Sequence, residues 1–277
     1  MNRLEQAMLD ILKRGRDEYG YVGVKAEFEA EGTRMDEMLR LIDITRRAGL
    51  KIGIKIGGGE AVRDLIDSKQ IGADYIIAPM IESAYALSKY IQIKNKLYTP
   101  YERKQVRFLF NVETHSAFIS LDSILEMATK PDGADGVVFG RVDYSGSCGL
   151  SRDAITGDKV TNDCVTAAKD TKPHKLDFVV GGGVALESID TLRKINAAYL
   201  TRFETRKVIF DAQSLNREGQ AEQGLREAVE FELLWLQNKR SYYLHISEED
   251  VKRIEMLDAR VQQLRAQSGT RKLVATA

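Results

Sequence analysis

Short β-type runs alternate with helical stretches along most of this chain, and no other sequence feature constrains the fold as strongly. Strands separated by helices favour βαβ units built around a parallel sheet. Seven β-type runs can be counted, at residues 21–29, 51–56, 73–80, 106–112, 136–139, 177–180 and 198–203. Helices are predicted in six of the intervening or following stretches, at residues 35–48, 60–69, 82–95, 120–128, 163–170 and 186–195.

The fold class predicted from this pattern is an α/β TIM-type (β/α)8 barrel. A chain of 277 residues is long enough to form such a barrel as one domain. A closed barrel normally has eight strands, so the eighth is expected to be degenerate near the N-terminus or absent. The alternative is an open doubly wound sheet, but no G-x-G-x-x-G fingerprint follows the first strand.

Additional helices are predicted at both ends of the barrel. Residues 3–14 are amphipathic, and two helices are expected at residues 220–237 and 248–266. The second of these begins at a capping signature, Ser247-Glu248-Glu249-Asp250. We therefore predict one domain over residues 1–267, followed by a disordered tail at residues 268–277.

Composition excludes several classes of partner. The chain has 41 basic and 41 acidic residues, so its net charge gives no basis for binding nucleic acid or an anionic membrane. No apolar run approaches the roughly 20 residues that span a bilayer. The first 16 residues lack the apolar core of a signal peptide, and only two cysteines occur. These features predict a cytoplasmic protein without a disulfide framework.

The chemistry of a parallel barrel is expected where its strands end and its loops begin. Glu113 and Asp143 follow neighbouring strands, and two carboxylates of this kind form a half-open oxygen site that suits Mg²⁺ or Mn²⁺. The alternative is that both acids pair with strand-end arginines. Neither H-E-x-x-H nor C-x-x-C is present, which disfavours a usual zinc site. The other strand-end candidates are Glu27, Glu29, Lys55, Glu82, Asn111, Arg141, the glycines 181–183, Glu204 and Arg206.

Three segments of the chain carry a resemblance to a known family: residues 73–83 (ADYIIAPMIES), 110–114 (FNVET) and 135–145 (DGVVFGRVDYS). They resemble the HpcH/HpaI aldolase and citrate lyase β-subunit family of the phosphoenolpyruvate/pyruvate barrel superfamily. The likeness covers about residues 21–211. It implies that Glu113, in an E-T motif, and Asp143, in a G-x-x-D motif, bind the divalent metal.

The resemblance also implies a reaction. In this family the metal binds the carboxylate and keto oxygen of pyruvate or a related 2-oxo acid and stabilises an enolate. Lys55 stands where the family has an arginine; it either supplies the same positive charge or forms a Schiff base. Backbone N–H groups of Gly140, Arg141 and Val142 are expected to receive the substrate carboxylate. Asn111 either orients substrate or a metal-bound water, or is a core amide.

The family's proton-transfer histidine is missing from this chain, which reads Glu27-Phe28-Glu29-Ala30 at that position. Glu29 or Glu27 acting through a water, or His115, is the candidate for this role. His115 is otherwise a plain surface residue.

Two further features concern the second substrate. The glycines 181–183 resemble a phosphate-binding loop or form a tight turn. Arg206 and Lys207 either hold an anionic group of the second substrate or pair with Glu204 or Glu31. The expected partners are a 2-oxo acid and an aldehyde that is sugar-like or phosphorylated.

The function predicted from these observations is a metal-dependent aldolase, which is a carbon–carbon lyase. One alternative is a citrate-lyase-like enzyme that acts on a CoA thioester. The other is a non-catalytic barrel subunit, which the missing histidine favours. Family members pack C-terminal helices against neighbouring subunits, so a homo-oligomer is expected.

Overall fold

Eight strands close into a barrel in chain order, which confirms the TIM-type fold class. The computed structural model describes residues 1–274, with side chains for residues 1–267. Successive strands from β1 to β7 are parallel. The strands are β1 (Tyr21–Glu27), β2 (Lys51–Lys55), β3 (Tyr75–Ala78), β4 (Arg107–Val112), β5 (Gly136–Gly140), β6 (Asp177–Gly181), β7 (Arg202–Glu204) and β8 (Val208–Asp211).

Helices surround the barrel and cover the outer faces of its strands. Among the helices of residues 1–274, none has an apolar stretch of the length that crossing a membrane requires. The α-helices are α1 (Arg3–Arg14), α2 (Met35–Arg47), α3 (Val62–Ile71), α4 (Ala84–Leu97), α5 (Pro100–Arg103), α6 (His115–Ile119), α7 (Leu121–Ala128), α8 (Arg141–Ser147), α9 (Asp158–Thr171), α10 (Ile189–Ala198) and α11 (Gln220–Val274).

The eighth strand differs from its prediction in place and direction. It lies at Val208–Asp211 near the C-terminus, and it runs antiparallel to both β7 and β1. Antiparallel neighbours need no crossover helix, so a three-residue turn joins β7 to β8. In this turn the Thr205 N–H donates to the Val208 carbonyl at 2.9 Å. The prediction was wrong because it relied on strands alternating with helices. No helix separates these four residues from β7, so the pattern did not identify them as a separate strand.

The predicted boundary between two C-terminal helices is also wrong. Elsewhere, residues 145–158 contain the end of α8 and a 3-10 helix at Arg152–Thr156. The two predicted C-terminal helices are one helix of 55 residues, α11. No glycine or proline lies between residues 238 and 247, so the capping signature at Ser247 does not interrupt the helix. The tail predicted to be disordered, residues 268–277, lies outside the residues whose side chains are described.

Side chains inside the barrel form two layers with different chemistry. The lower layer, towards the N-terminal ends of the parallel strands, is an apolar cluster. On the parallel strands, inward residues nearer the C-terminal ends form a second, upper layer above this cluster, as Asn111 does two positions after Leu109 on β4. That upper layer is polar and includes Lys25, Lys55, Asn111 and Glu204. The lower layer consists of Tyr75, Ile77, Leu109, Val138, Val179 and Ile209.

Helix α11 connects the bottom of the barrel to its C-terminal mouth. Near its start, the Gly224 carbonyl accepts a hydrogen bond from the Tyr21 hydroxyl at 2.5 Å, at the beginning of β1. A Cβ at position 224 would lie 2.8 Å from the Phe210 ring, so glycine permits this close approach. The helix then passes the mouth at residues 228–232, and residues 244–267 are all exposed.

Candidate active site

A cavity of about 490 Å³ lies at the C-terminal ends of the strands. This is the end of a parallel barrel at which reactive groups collect. Six acidic and four basic side chains line it, so the cavity has an excess of negative charge. The acids are Glu27, Glu29, Glu113, Asp143, Glu204 and Glu232, and the bases are Lys25, Lys55, Arg152 and Arg206.

Glu113 follows β4 and is 1% exposed. One carboxylate oxygen, Oε1, accepts the Met80 backbone N–H at 2.9 Å. The other, Oε2, accepts from Asn111 Nδ2 at 2.6 Å and lies 3.5 Å from Lys55 Nζ. Gly140 is required beside it, because a Cβ there would lie 2.7 Å from Glu113 Oε2. A carboxylate has about four lone-pair sites, so Glu113 retains capacity for another ligand.

Asp143 lies in the first turn of α8 and is exposed in the same cavity. Within residues 1–267 it forms no ion pair or side-chain hydrogen bond. Glu113 likewise has no arginine partner among those residues. The alternative in which strand-end arginines neutralise both acids is therefore not what the structure shows.

Lys55 projects from the end of β2 between two carboxylates. Its Nζ lies 2.9 Å from Glu29 Oε2 and 3.5 Å from Glu113 Oε2. Burial lowers the pKa of Lys55, but the negative charges of Glu113 and Glu29 outweigh burial and raise it overall. Lys55 is therefore held as an ammonium ion, whereas imine formation needs the free amine.

Asn111 is buried two residues before Glu113 on the inward face of β4. Its Nδ2 donates to Glu113 rather than to the backbone. Its Oδ1 is buried and has no hydrogen-bond partner in the described part of the chain. A buried carbonyl oxygen without a donor is costly, so this atom faces a place where a ligand or water would donate to it.

A second buried lysine, Lys25, lies in the upper layer, and strand-end positions alone did not reveal it. Its Nζ is 2.6 Å from Glu204 Oε1 and 3.3 Å from Glu27 Oε1. Burial lowers the pKa of Lys25, but Glu204 and Glu27 raise it overall. The signal available in the sequence was position: Lys25 precedes Glu27 by two residues and so shares its inward face.

The predicted carboxylate-binding segment divides into two parts. Gly140 and Val142 line the cavity, whereas the Arg141 side chain is fully buried outside its lining. Arg141 Nε donates to the Gly181 carbonyl at 3.3 Å and Nη2 donates to Ser188 Oγ at 3.2 Å. Burial lowers the pKa of Arg141. Only the backbone of Arg141 is therefore available for the predicted role.

The glycines 181–183 line the cavity beside α8. Gly182 and Gly183 have φ of 77° and 62°, which favour glycine. A Cβ on Gly182 would lie 2.7 Å from the backbone nitrogens of both Arg141 and Val142. Close packing of two backbone segments explains this glycine run, and a role in binding phosphate stays a prediction.

Arg206 and His115 occupy different settings. Arg206 lies in the β7–β8 turn, lines the cavity and is 3.8 Å from Glu31 Oε1. Lys207 also pairs with Glu31, so the ion pair proposed from sequence is present.

His115 is exposed as the first residue of α6 and lies outside the cavity lining. Its backbone N–H donates to Ser147 Oγ at 2.8 Å.

Within residues 1–267 there is no group of three or more His, Cys, Asp or Glu side chains arranged to hold a metal. A site in this cavity would therefore depend on two carboxylates completed by water or substrate oxygens. Such partly open coordination is usual for Mg²⁺. The negative excess of the cavity, the exposed Asp143 carboxylate and the unpartnered Asn111 Oδ1 all fit a bound cation together with its ligands.

The sequence of the chain matches that of a known protein family. The sequence model of the family "HpcH/HpaI aldolase/citrate lyase" matches residues 30–192, more than half of the chain. No curated protein sequence matches the chain.

Solved structures show the same fold. Citrate synthase SbnG is 17% identical with a TM-score of 0.58, covering 72% of this chain and 81% of that one. An HpcH/HpaI aldolase from Desulfitobacterium hafniense DCB-2 is 15% identical with a TM-score of 0.57, covering 71% and 82%. A family protein from Burkholderia cenocepacia J2315 is 17% identical with a TM-score of 0.58, covering 80% and 90%. At these identities the structures show a shared fold alone.

Proposed function

Because this chain belongs to the HpcH/HpaI aldolase/citrate lyase family, we propose that it is a divalent-metal-dependent aldolase that forms or cleaves a carbon–carbon bond through the enolate of a 2-oxo acid. The family makes it an enzyme of the carbon–carbon lyase kind. The observation that supports the finer proposal most strongly is that Glu113 and Asp143 line one cavity with an excess of negative charge.

Glu113 and Asp143 are the residues that would hold Mg²⁺ or Mn²⁺. When bound there, the cation supplies Lewis-acid stabilisation of the charge that develops on the oxygen next to the reacting carbon. Asn111 bonds Glu113 through Nδ2 and fixes the orientation of that carboxylate. Its free Oδ1 would accept a hydrogen bond from a water molecule or a substrate hydroxyl group.

Lys55 contributes positive charge in this proposal. Its ammonium group lies beside Glu113, where it would attract the keto oxygen or carboxylate of the 2-oxo acid. Glu29 holds it in place from the other side. Backbone N–H groups near Gly140 and Val142, which line the cavity, would receive the substrate carboxylate.

The second substrate would occupy the part of the cavity towards Arg206. Arg206 shares Glu31 with Lys207 and has 56% of its side chain exposed, so it remains accessible to an anionic group. These side chains support an aldehyde with a carboxylate, phosphate or sugar-like hydroxyls. Among the side chains that the structure describes, none makes a contact that favours a CoA thioester or a loss of catalysis.

Proton exchange at the methyl group of pyruvate tests the proposal. The protein is incubated in D₂O with pyruvate and Mn²⁺ or Mg²⁺, and methyl protons are followed by NMR. We expect exchange that disappears with EDTA and in Glu113→Gln, but not in Glu126→Gln, a control at an exposed glutamate of α7. Exchange that survives EDTA would instead indicate imine chemistry at Lys55 if borohydride also links pyruvate covalently to that residue.

A homo-oligomer built through α11 is the proposed assembly. Ile254, Leu257 and Val261 are spaced three and four residues apart and are 57%, 43% and 42% exposed. This spacing is that of helices that pair along a seam, and a second copy of the chain supplies an identical seam. Size-exclusion chromatography with light scattering should show a smaller assembly for Leu257→Glu than for Glu255→Gln; equal masses would contradict the proposal.

The proposed location is the cytoplasm. Both cysteines, Cys148 and Cys164, are free, which fits a reducing compartment.

A further inference from the structure

Aldol cleavage requires a base, and the residues predicted for proton transfer are poorly placed for it. His115 lies outside the cavity lining. Glu29 is 2.9 Å from Lys55 Nζ, and Glu27 is 3.3 Å from Lys25 Nζ. Burial raises the pKa of Glu27, but Lys25 and Lys55 lower it overall, which makes Glu27 a weaker base; the Glu29 carboxylate is already paired with Lys55.

Pairing divides the acidic side chains of the cavity into two groups. Four of the six are paired with a lysine: Glu27 and Glu204 with Lys25, and Glu29 and Glu113 with Lys55. The other two, Asp143 and Glu232, form no ion pair or side-chain hydrogen bond within residues 1–267. Asp143 is the proposed metal ligand. Glu232 is the remaining carboxylate without an assigned role.

Glu232 reaches the cavity from α11, where that helix passes the mouth of the barrel. It lines the cavity together with Ala228 and Val229, one helical turn earlier, and it is half-buried. Its charged neighbours are Arg206 and Lys207 in the β7–β8 turn, and Glu27 and Glu31 after β1. Glu113 and Asp143 belong to the β4 and β5 side of the mouth. Glu232 lines the same cavity as these two residues, so a 2-oxo acid held by them would share that space with the Glu232 carboxylate.

We infer that Glu232 is the general base of the reaction, exchanging a proton with the C4 hydroxyl group of a 4-hydroxy-2-oxo acid; this inference rests on the proposed aldolase function. In cleavage, the Glu232 carboxylate takes the hydroxyl proton and C4–O becomes a carbonyl. The electron pair of the C3–C4 bond passes to C2–C3 to give the enolate. A water molecule protonates C3, and the hydroxide that remains takes the proton from Glu232 to become water again. Condensation reverses each step.

The electrostatic setting of Glu232 agrees with this role. Burial and the nearby charges of Glu31 and Glu27 raise its pKa, and they outweigh the opposing effect of Arg206 and Lys207. A carboxylate with a raised pKa is a stronger base at neutral pH than an exposed one.

Two reactions of the same enolate test the inference. Cleavage of 4-hydroxy-2-oxopentanoate to pyruvate and acetaldehyde requires removal of a hydroxyl proton. Decarboxylation of oxaloacetate passes through the same pyruvate enolate by loss of CO₂ and requires no such base. Both are measured with Mn²⁺ for the wild type, Glu232→Gln, Glu232→Asp and Glu113→Gln. Glu230→Gln is the matched control, because Glu230 is an exposed residue of the same helix outside the cavity.

In Glu232→Gln we expect kcat for cleavage to fall by about 10²-fold or more while decarboxylation stays within about threefold of wild type. The acidic limb of the pH profile for cleavage should disappear in this variant, and Glu232→Asp should restore part of the rate. Equal loss of both reactions, or loss of neither, would overturn the role of Glu232. If the wild type, with metal, catalyses neither reaction and exchanges no pyruvate protons, the proposed function itself fails.

Discussion

The two layers inside the barrel are built from the same sheet but have different roles. Leu109 and Val179 in the lower layer belong to an apolar cluster. Two residues further along its strand, Leu109 gives way to Asn111, and the upper layer around it is charged. Burying apolar groups stabilises a fold, whereas burying charges costs free energy unless they are paired. The comparison indicates that the lower layer holds the barrel closed and the upper layer holds the chemistry.

Removing one charge from the upper layer should have the largest effect on stability. In Lys25→Met, Glu204 and Glu27 lose their buried partner, so we expect the free energy of unfolding to fall by about 3–5 kcal/mol. Urea denaturation measures this change. The double variant Lys25→Met/Glu204→Met should recover part of the loss, because it replaces the closest pair by apolar groups while Glu27 still lacks Lys25; a double variant as unstable as the single one would contradict the account.

Truncating the lower layer should destabilise the barrel without altering its chemistry. Leu109→Ala removes a side chain that is 2% exposed, so we expect a loss of about 2–5 kcal/mol. Leu39→Ala, at a residue 62% exposed, is the control and should change stability little. Pyruvate proton exchange per folded molecule should stay near the wild-type rate in Leu109→Ala. A large loss there would show that the layers are not separable.

The role of Lys55 can be separated into charge and nucleophilicity. Lys55→Met should slow metal-dependent exchange of pyruvate protons by about 10²-fold, because it removes the cation beside Glu113. Lys55→Arg keeps the positive charge and should stay within about tenfold of wild type. If both variants are equally inactive, the amine itself is needed and imine chemistry becomes the better account.

A smaller effect concerns the acid stability of the upper layer. Burial raises the pKa of Glu27, but Lys25 and Lys55 lower it overall from its usual 4.5. Glu27 therefore stabilises the folded state above about pH 4.5, and this contribution is lost as pH falls through its lowered folded-state pKa. Chemical denaturation at several pH values should show Glu27→Gln less stable than wild type at pH 7, with the difference shrinking in acid. A difference independent of pH would contradict this assignment.

The sequence predicted the fold class and most of the proposed metal site because both depend on short-range patterns. Period-2 alternation and the positions of the strand ends predicted that Lys55, Asn111, Glu113 and Asp143 would lie close together. All four line the same cavity. Lys25 was missed because only strand-end positions were considered.

Glu232 and β8 could not be found in the same way. The position of Glu232 depends on the packing of Gly224 against β1 and β8, which no local pattern encodes. β8 is short and follows β7 without a crossover helix. The capping signature at Ser247 predicted a helix start, but α11 continues through it without a break.

Binding of Mn²⁺ followed by electron paramagnetic resonance tests the central claim most directly. The signal of free Mn²⁺ is titrated with wild-type protein, Glu113→Gln, Asp143→Asn and the control Glu126→Gln. We expect the wild type and the control to bind one ion per chain and both site variants to bind at least about tenfold more weakly. Equal binding by all four proteins, or no binding by the wild type in the presence of pyruvate, would contradict the account.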